Sequence, residues 1–216
     1  MKFPHRLSFL CISSLTAFSS SLIAKEPAID QTTKPRPWAQ QSSDIKADPR
    51  VTYGSLPNGM RYVIMPNQQP LGRVSLRLHI AAGSLMERED QRGIAHFLEH
   101  MLFNGSKNFP DASELIPKMQ RLGIGFGSHA NAYTSFDETV YMLDLPNTEK
   151  ETLDLGFTVM RDFGDGALLR AEEIEKERGV ILSEKTSRDS VSMRLMQQQF
   201  DALLPDALLT LSLIHI

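Results

Sequence analysis

The stretch that most limits how this chain can fold is Gly93 to Gly105, GIAHFLEHMLFNG. Read as a helix, it sets His96 and His100 four residues apart, so both imidazoles project from one side with Glu99 between them. Two neutral imidazoles suit a zinc ion, and a carboxylate one residue before the second histidine can serve as base toward a metal-held water. The competing reading is an amphipathic core helix whose buried face is Ile94, Phe97, Leu98, Met101 and Leu102. That reading leaves two histidines on the apolar side with poorly satisfied ring nitrogens, which favours the metal.

The chain has 216 residues, enough for one large domain or two small ones, and its 41% hydrophobic and 23% charged content is ordinary for a globular protein. A net charge of -3 without a basic stripe argues against nucleic acid as a partner. At the start, Lys2 and Arg6 precede an uncharged, mainly apolar run from Leu7 to Ala24, which reads as a secretory signal peptide over residues 1–24. Its serines make it weak as a permanent anchor, so no stable membrane span is expected in the mature chain. The single cysteine, Cys11, falls inside this segment, leaving a mature protein without disulfides, which suits a periplasmic or secreted location in a Gram-negative-like cell.

Residues 25–50 are polar and proline-containing and read as a linker, in which Trp38 is expected to pack locally. A folded domain is expected over residues 51–206. It opens with two short apolar runs around Asn58-Gly59, a hairpin signal. Residues 73–81 alternate, with Val74, Leu76, Leu78 and Ile80 on the inner side and His79 on the solvated side. A helix is expected over 111–122, provided Pro117 sits in its first turns. The glycines of LGIGFG precede a strand rather than a helix, which argues against a phosphate loop. Two strands should meet at Ser135 to Asp137. Beyond them a helix over 148–162 points Leu153, Phe157 and Met160 to the core, and a long helix runs from Ala171 to about Leu203. On that last helix Glu177 and Glu184 lie on the rim of the buried stripe, and Gly179 between them suggests close approach by another helix.

Four segments together resemble the pitrilysin and insulysin group of zinc metallopeptidases, the inverzincins with the reversed H-x-x-E-H motif. AHFLEHMLFNGS resembles their metal helix, ERGVILSE their downstream helix with two glutamates, NAYTSFDETVY their substrate-pairing strand and LPNGMRYVI their opening hairpin. The resemblance spans about Arg50 to Asp206. Residues 207–216 leave the pattern and are expected to be an artefactual tail.

The resemblance implies an α+β layered domain, with a mainly antiparallel sheet and helices packed on one face. It implies one zinc per chain held by His96, His100 and Glu184, with Glu99 as general base and Glu177 supporting a ligand from behind; Glu177 is also the other candidate for third ligand. It implies that Asn131 and Ala132 hold a peptide or unfolded protein substrate as an added strand. Family members are paired halves, so a missing C-terminal half or partner subunit is expected. The function expected is therefore an exported zinc metalloendopeptidase domain, slow when isolated. The alternatives are a non-catalytic structural or peptide-binding half of such a protein, or a metal-free secreted α+β binding domain.

Overall fold

The computed structural model describes residues 37–204; the expected signal peptide (1–24), the start of the expected linker and the expected tail (207–216) lie outside these described residues. The chain divides into two compact units, residues 1–66 and 67–216. In the described part of the first, β1 (Thr52–Ser55) and β2 (Arg61–Ile64) pair antiparallel with Thr52 opposite Ile64. Gly59 has φ +86°, the left-handed conformation that the Asn58-Gly59 signal anticipates for a tight hairpin. The Trp38 ring packs locally, 5.1 Å from that of Tyr53, and the Arg61 guanidinium lies 4.4 Å above it.

The second unit is built on a three-stranded antiparallel sheet in the order β3-β5-β4, formed by β3 (Val74–Ile80), β4 (Ala130–Thr134) and β5 (Thr139–Leu145). Alternation in β3 places Leu76 opposite Leu143 and Leu78 opposite Tyr141, and these side chains form one apolar face. Ile80, expected inside, is 38% exposed at the strand's end. On the other face, Ser75 and Arg77 donate to the Asp144 carboxylate, and His79 stands 2.9 Å from Glu138.

Five α-helices accompany the sheet in this unit. They are α1 (Ile94–Met101), α2 (Ala112–Arg121), α3 (Lys150–Asp165), α4 (Ala171–Arg188) and α5 (Val191–Leu203). Helix α3 lies against β3 and β5, and α1 lies against β4, β5 and α4. The core joins Leu102, Leu115, Met119, Ile124, Leu143, Leu145, Leu155, Val159 and Phe163. At about 25 cal/mol per Å² of apolar area, burying such side chains is the main force holding the layers together. Pro117 is the sixth residue of α2, and the helix continues through it. The ring removes one helical bond, but Leu115 and Met119 on either side are fully buried and hold the segment in place.

Several expectations are corrected. The long terminal helix is two helices, because Ser190 accepts from the Met193 amide through its side chain and starts α5 afresh. Phe157 is 59% exposed, and the core side of α3 is Thr152, Leu155, Gly156, Val159, Asp162 and Phe163. Among the described residues nothing lies within 4 Å of a Cβ at Gly179, so none of the described helices approaches there. In α1 the buried residues are His96, Glu99 and Met101, while Ile94 and Leu98 face outward. The helix turns its polar functional groups inward, the reverse of a plain core helix.

Candidate metal centre

Helix α1 presents His96 and Glu99 to the interior, where they are 6% and 8% exposed. Helix α4 crosses it and supplies both glutamates. Nε2 of His96 and Nε2 of His100 are 3.2 Å apart, and Glu184 Oε2 lies 3.6 Å from the first and 3.4 Å from the second. These three atoms form a single group of possible metal donors.

The donor chemistry fits a cation at their centre. Nδ1 of His100 lies 2.7 Å from Glu177 Oε1. A carboxylate can only accept, so this bond assigns the proton to Nδ1 and leaves Nε2 a lone pair. That lone pair faces Glu184 Oε2, a buried atom that finds no hydrogen-bond donor among the described residues. Electron pairs converging in this way repel one another unless a positive ion lies between them. A tetrahedral zinc with ligands at about 2.0–2.1 Å has ligand-to-ligand edges of about 3.3 Å, which the observed separations match.

Supporting contacts fix each donor. Glu177 also accepts from Asn104 Nδ2 at 2.6 Å, so both its oxygens are engaged behind His100 rather than among the donor atoms. Glu184 Oε1 forms an ion pair with Arg188, one helical turn on, which turns Oε2 toward the histidines. Of the two candidates for third donor, the structure brings Glu184 to the pair of Nε2 atoms and sets Glu177 behind one of them.

Glu99 Oε2 accepts from the Thr134 hydroxyl at 2.6 Å. Burial pushes the Glu99 carboxyl above the ordinary glutamate range, against the opposing pull of the Thr134 bond and His100. Asn131 and Ala132 lie on β4, an outer strand of the sheet, and line with Glu99 and both histidines a cavity of about 460 Å³. The Ala132 amide donates to Asn131 Oδ1 at 2.9 Å. His79 stands apart on the far face of the sheet, with its side chain 55% exposed, and takes no part in this group. Asn104, Thr134 and Arg188 were not singled out as site residues by sequence reasoning. For Asn104 and Arg188 the sequence signal is position, since Asn104 lies four residues after His100 and Arg188 four after Glu184.

A layered α+β unit with this His-His-Glu group beside a buried glutamate defines the architecture of an H-x-x-E-H metallopeptidase domain. The family model for Insulinase (Peptidase family M16) matches residues 62–210, and the chain belongs to that family. The probable zinc proteases PqqL of Haemophilus influenzae and Escherichia coli are 38% and 39% identical to it, each over 71% of this chain. The chain spans 16% of the length of either relative. The crystal structure of the periplasmic protease PqqL from Escherichia coli superposes with a TM-score of 0.71 at 37% identity, covering 76% of this chain and 18% of that one. The crystal structure of the first half of that protein superposes with a TM-score of 0.69 at 38% identity, covering 74% of this chain and 34% of that one. Among the described residues, no helix is long and apolar enough to cross a membrane.

Proposed function

We propose that this chain is the metal-bearing N-terminal domain, over residues 51–206, of an exported zinc metalloendopeptidase. The convergence of His96 Nε2, His100 Nε2 and Glu184 Oε2 beside the buried Glu99 carries the reading. Those three residues would hold one zinc ion. Zinc supplies Lewis acidity that makes water a nucleophile near neutral pH and polarises a peptide carbonyl.

The remaining steps belong to the chain's own groups. Glu177 holds His100 in the tautomer whose Nε2 keeps its lone pair free for the metal, and Arg188 sets the direction of Glu184. Glu99 takes the proton of the attacking water and returns it to the leaving amine, a role for which its upward-shifted carboxyl is suited. Thr134 holds one oxygen of Glu99, so the other is the one that meets the water. Asn131 and Ala132 receive the substrate as an extended strand along β4, where the substrate backbone replaces the local Ala132 to Asn131 bond. Recognition through backbone gives broad rather than strict sequence preference for peptides and unfolded proteins.

The uncharged apolar run at residues 7–24 supports export, and the name of the solved relative, a periplasmic protease, points to the same compartment. A second half or partner subunit is proposed to complete the working enzyme, in keeping with the relative solved as a protein of more than one half. The test is metal content: the purified chain should carry about one zinc by atomic absorption, and His96→Ala with His100→Ala should carry none. Full zinc occupancy in that double variant would sink the assignment.

A further inference from the structure

The loop that leads into α1 carries a carboxylate that the proposed chemistry does not use. Glu87 is only 7% exposed, and both of its oxygens are taken up by backbone. Oε2 accepts from the Gly93 amide at 2.7 Å and Oε1 from the Ala95 amide at 2.8 Å. Gly93 is the N-cap of α1 and Ala95 its second residue. The first N–H groups of a helix have no partner within it, and an N-cap side chain normally supplies one. Gly93, at φ +84°, has no side chain to do so. Glu87 takes that role from six residues upstream, and its negative charge meets the positive end of the helix dipole.

Glu87 is itself tied to the sheet. The Ser84 amide donates to Ser135 O at 3.1 Å and the Leu85 amide to Phe136 O at 2.8 Å, which fastens its loop to the β4–β5 turn. The approach is so close at Gly83 that an added Cβ would stand 2.2 Å from Ser135 O. Ser135 directly follows Thr134, whose hydroxyl holds Glu99. The start of α1 and the end of β4 are therefore joined through one carboxylate.

We infer that Glu87 is a positioning residue for His96. By fixing the Gly93 and Ala95 amides it sets the register of the first turn of α1, and His96 is the next residue after Ala95. The inference rests on the zinc reading above. Both bonds that Glu87 accepts here come from backbone amides, so its influence passes through the backbone.

Glu87→Gln is nearly isosteric and leaves one carbonyl oxygen for two amides, while Glu87→Asp keeps the charge but draws it back by one methylene. In Glu87→Gln, with the fold verified by circular dichroism, the Gly93 and Ala95 amides should exchange faster. The Gly166 amide, which bonds to Asp162 O, should not change. Zinc affinity, measured by chelator competition, should fall by about 10- to 100-fold, the range found when a group supporting a metal ligand is removed. Glu87→Asp should fall between the two. Faster exchange with unchanged zinc affinity would mark Glu87 as an ordinary helix cap and overturn the inference, as would unchanged exchange. If the unmodified chain took up no zinc, the proposed function would fail instead, and the metal-free His96 ring resonances would decide. A shift of His96 but not His129 in Glu87→Gln supports the positioning role, and no shift overturns it.

Discussion

Glu177 Oε1 lies 2.7 Å from Nδ1 of His100, a residue 77 positions earlier in the chain, on the side of the ring away from the other donors. This contact separates the two glutamates of α4 by role. Glu184→Ala should abolish most zinc binding, since it removes one of three donors. Glu177→Ala should weaken binding by about 10- to 100-fold without removing it, because the imidazole loses its orienting partner but keeps its lone pair. Chelator competition on both variants checks the order, and a larger loss in Glu177→Ala would exchange the assignments.

Glu99→Gln should retain zinc and lose hydrolysis in the working enzyme by at least about 10²-fold, since an amide cannot accept the proton yet fills the same space. Metal content and turnover of a quenched peptide are both needed. Normal turnover would show that another group is the base.

Thr134 holds Glu99 through its hydroxyl at 2.6 Å and is itself buried, with the Thr139 hydroxyl 3.4 Å away. Thr134→Val should leave zinc affinity intact and lower kcat by about tenfold, as expected for one lost hydrogen bond to a charged group. Thr134→Ser should restore most of the rate. An unchanged kcat in the valine variant would mean that Glu99 is oriented by other contacts.

Much of this site can be read in the sequence because the metal donors are periodic. His96, Glu99 and His100 fall on one side of any helix, and the seven-residue spacing of Glu177 and Glu184 keeps both on one side of another. The Asn58-Gly59 hairpin and the alternation of β3 are equally local signals. What sequence does not reveal is which side of α1 faces inward. The helix is apolar on most of its circumference, so Ile94 and Leu98 look as fit for the core as Met101 does, and only packing against β4 and α4 selects the histidine side. The break before α5 did carry a local sign, a serine ahead of an apolar run at Ser190-Val191, which a search for helix starts would recognise. Glu87 and Thr134 lacked any such sign, because they act on α1 from a loop and a strand.

Asp162 is 1% exposed on α3 and ties that helix to the segment after α1 by accepting from Ser106 Oγ, Asn108 N and Asn108 Nδ2 at 2.6, 2.8 and 2.7 Å. Burial acts to raise its pKa, but these donors outweigh it and hold the carboxyl below the usual aspartate range. A depressed folded-state pKa adds stability above the unfolded value of about 3.9, and that stability is lost as pH falls through the folded value. Asp162→Asn should therefore cost about 2–4 kcal/mol at pH 7, where a buried charged acceptor is lost, and progressively less below about pH 4. Urea unfolding of both proteins at neutral and acid pH measures this. A penalty that does not shrink in acid would show that the carboxylate charge is not what stabilises the junction.

The 216-residue chain by itself should cleave peptides slowly even when loaded with zinc. The His100 and Glu184 side chains remain 23% and 21% exposed on this chain, so bulk water reaches the reacting groups. No positively charged donor other than Arg188 lines the cavity beside them among the described residues, and Arg188 is engaged with Glu184. A second half closing over the site would exclude water and add donors for the developing oxyanion, each commonly worth about 10²- to 10³-fold in rate. Closure would also hold the substrate strand against β4, a gain in positioning that an open site lacks. The comparison is between residues 25–206 and a protein extended to the length of the relatives, both at full zinc occupancy on one quenched peptide. The extended protein should turn over at least about 10²-fold faster if one such donor is supplied. Equal rates would mean that the groups on this domain suffice, and that the role proposed for a second half is wrong.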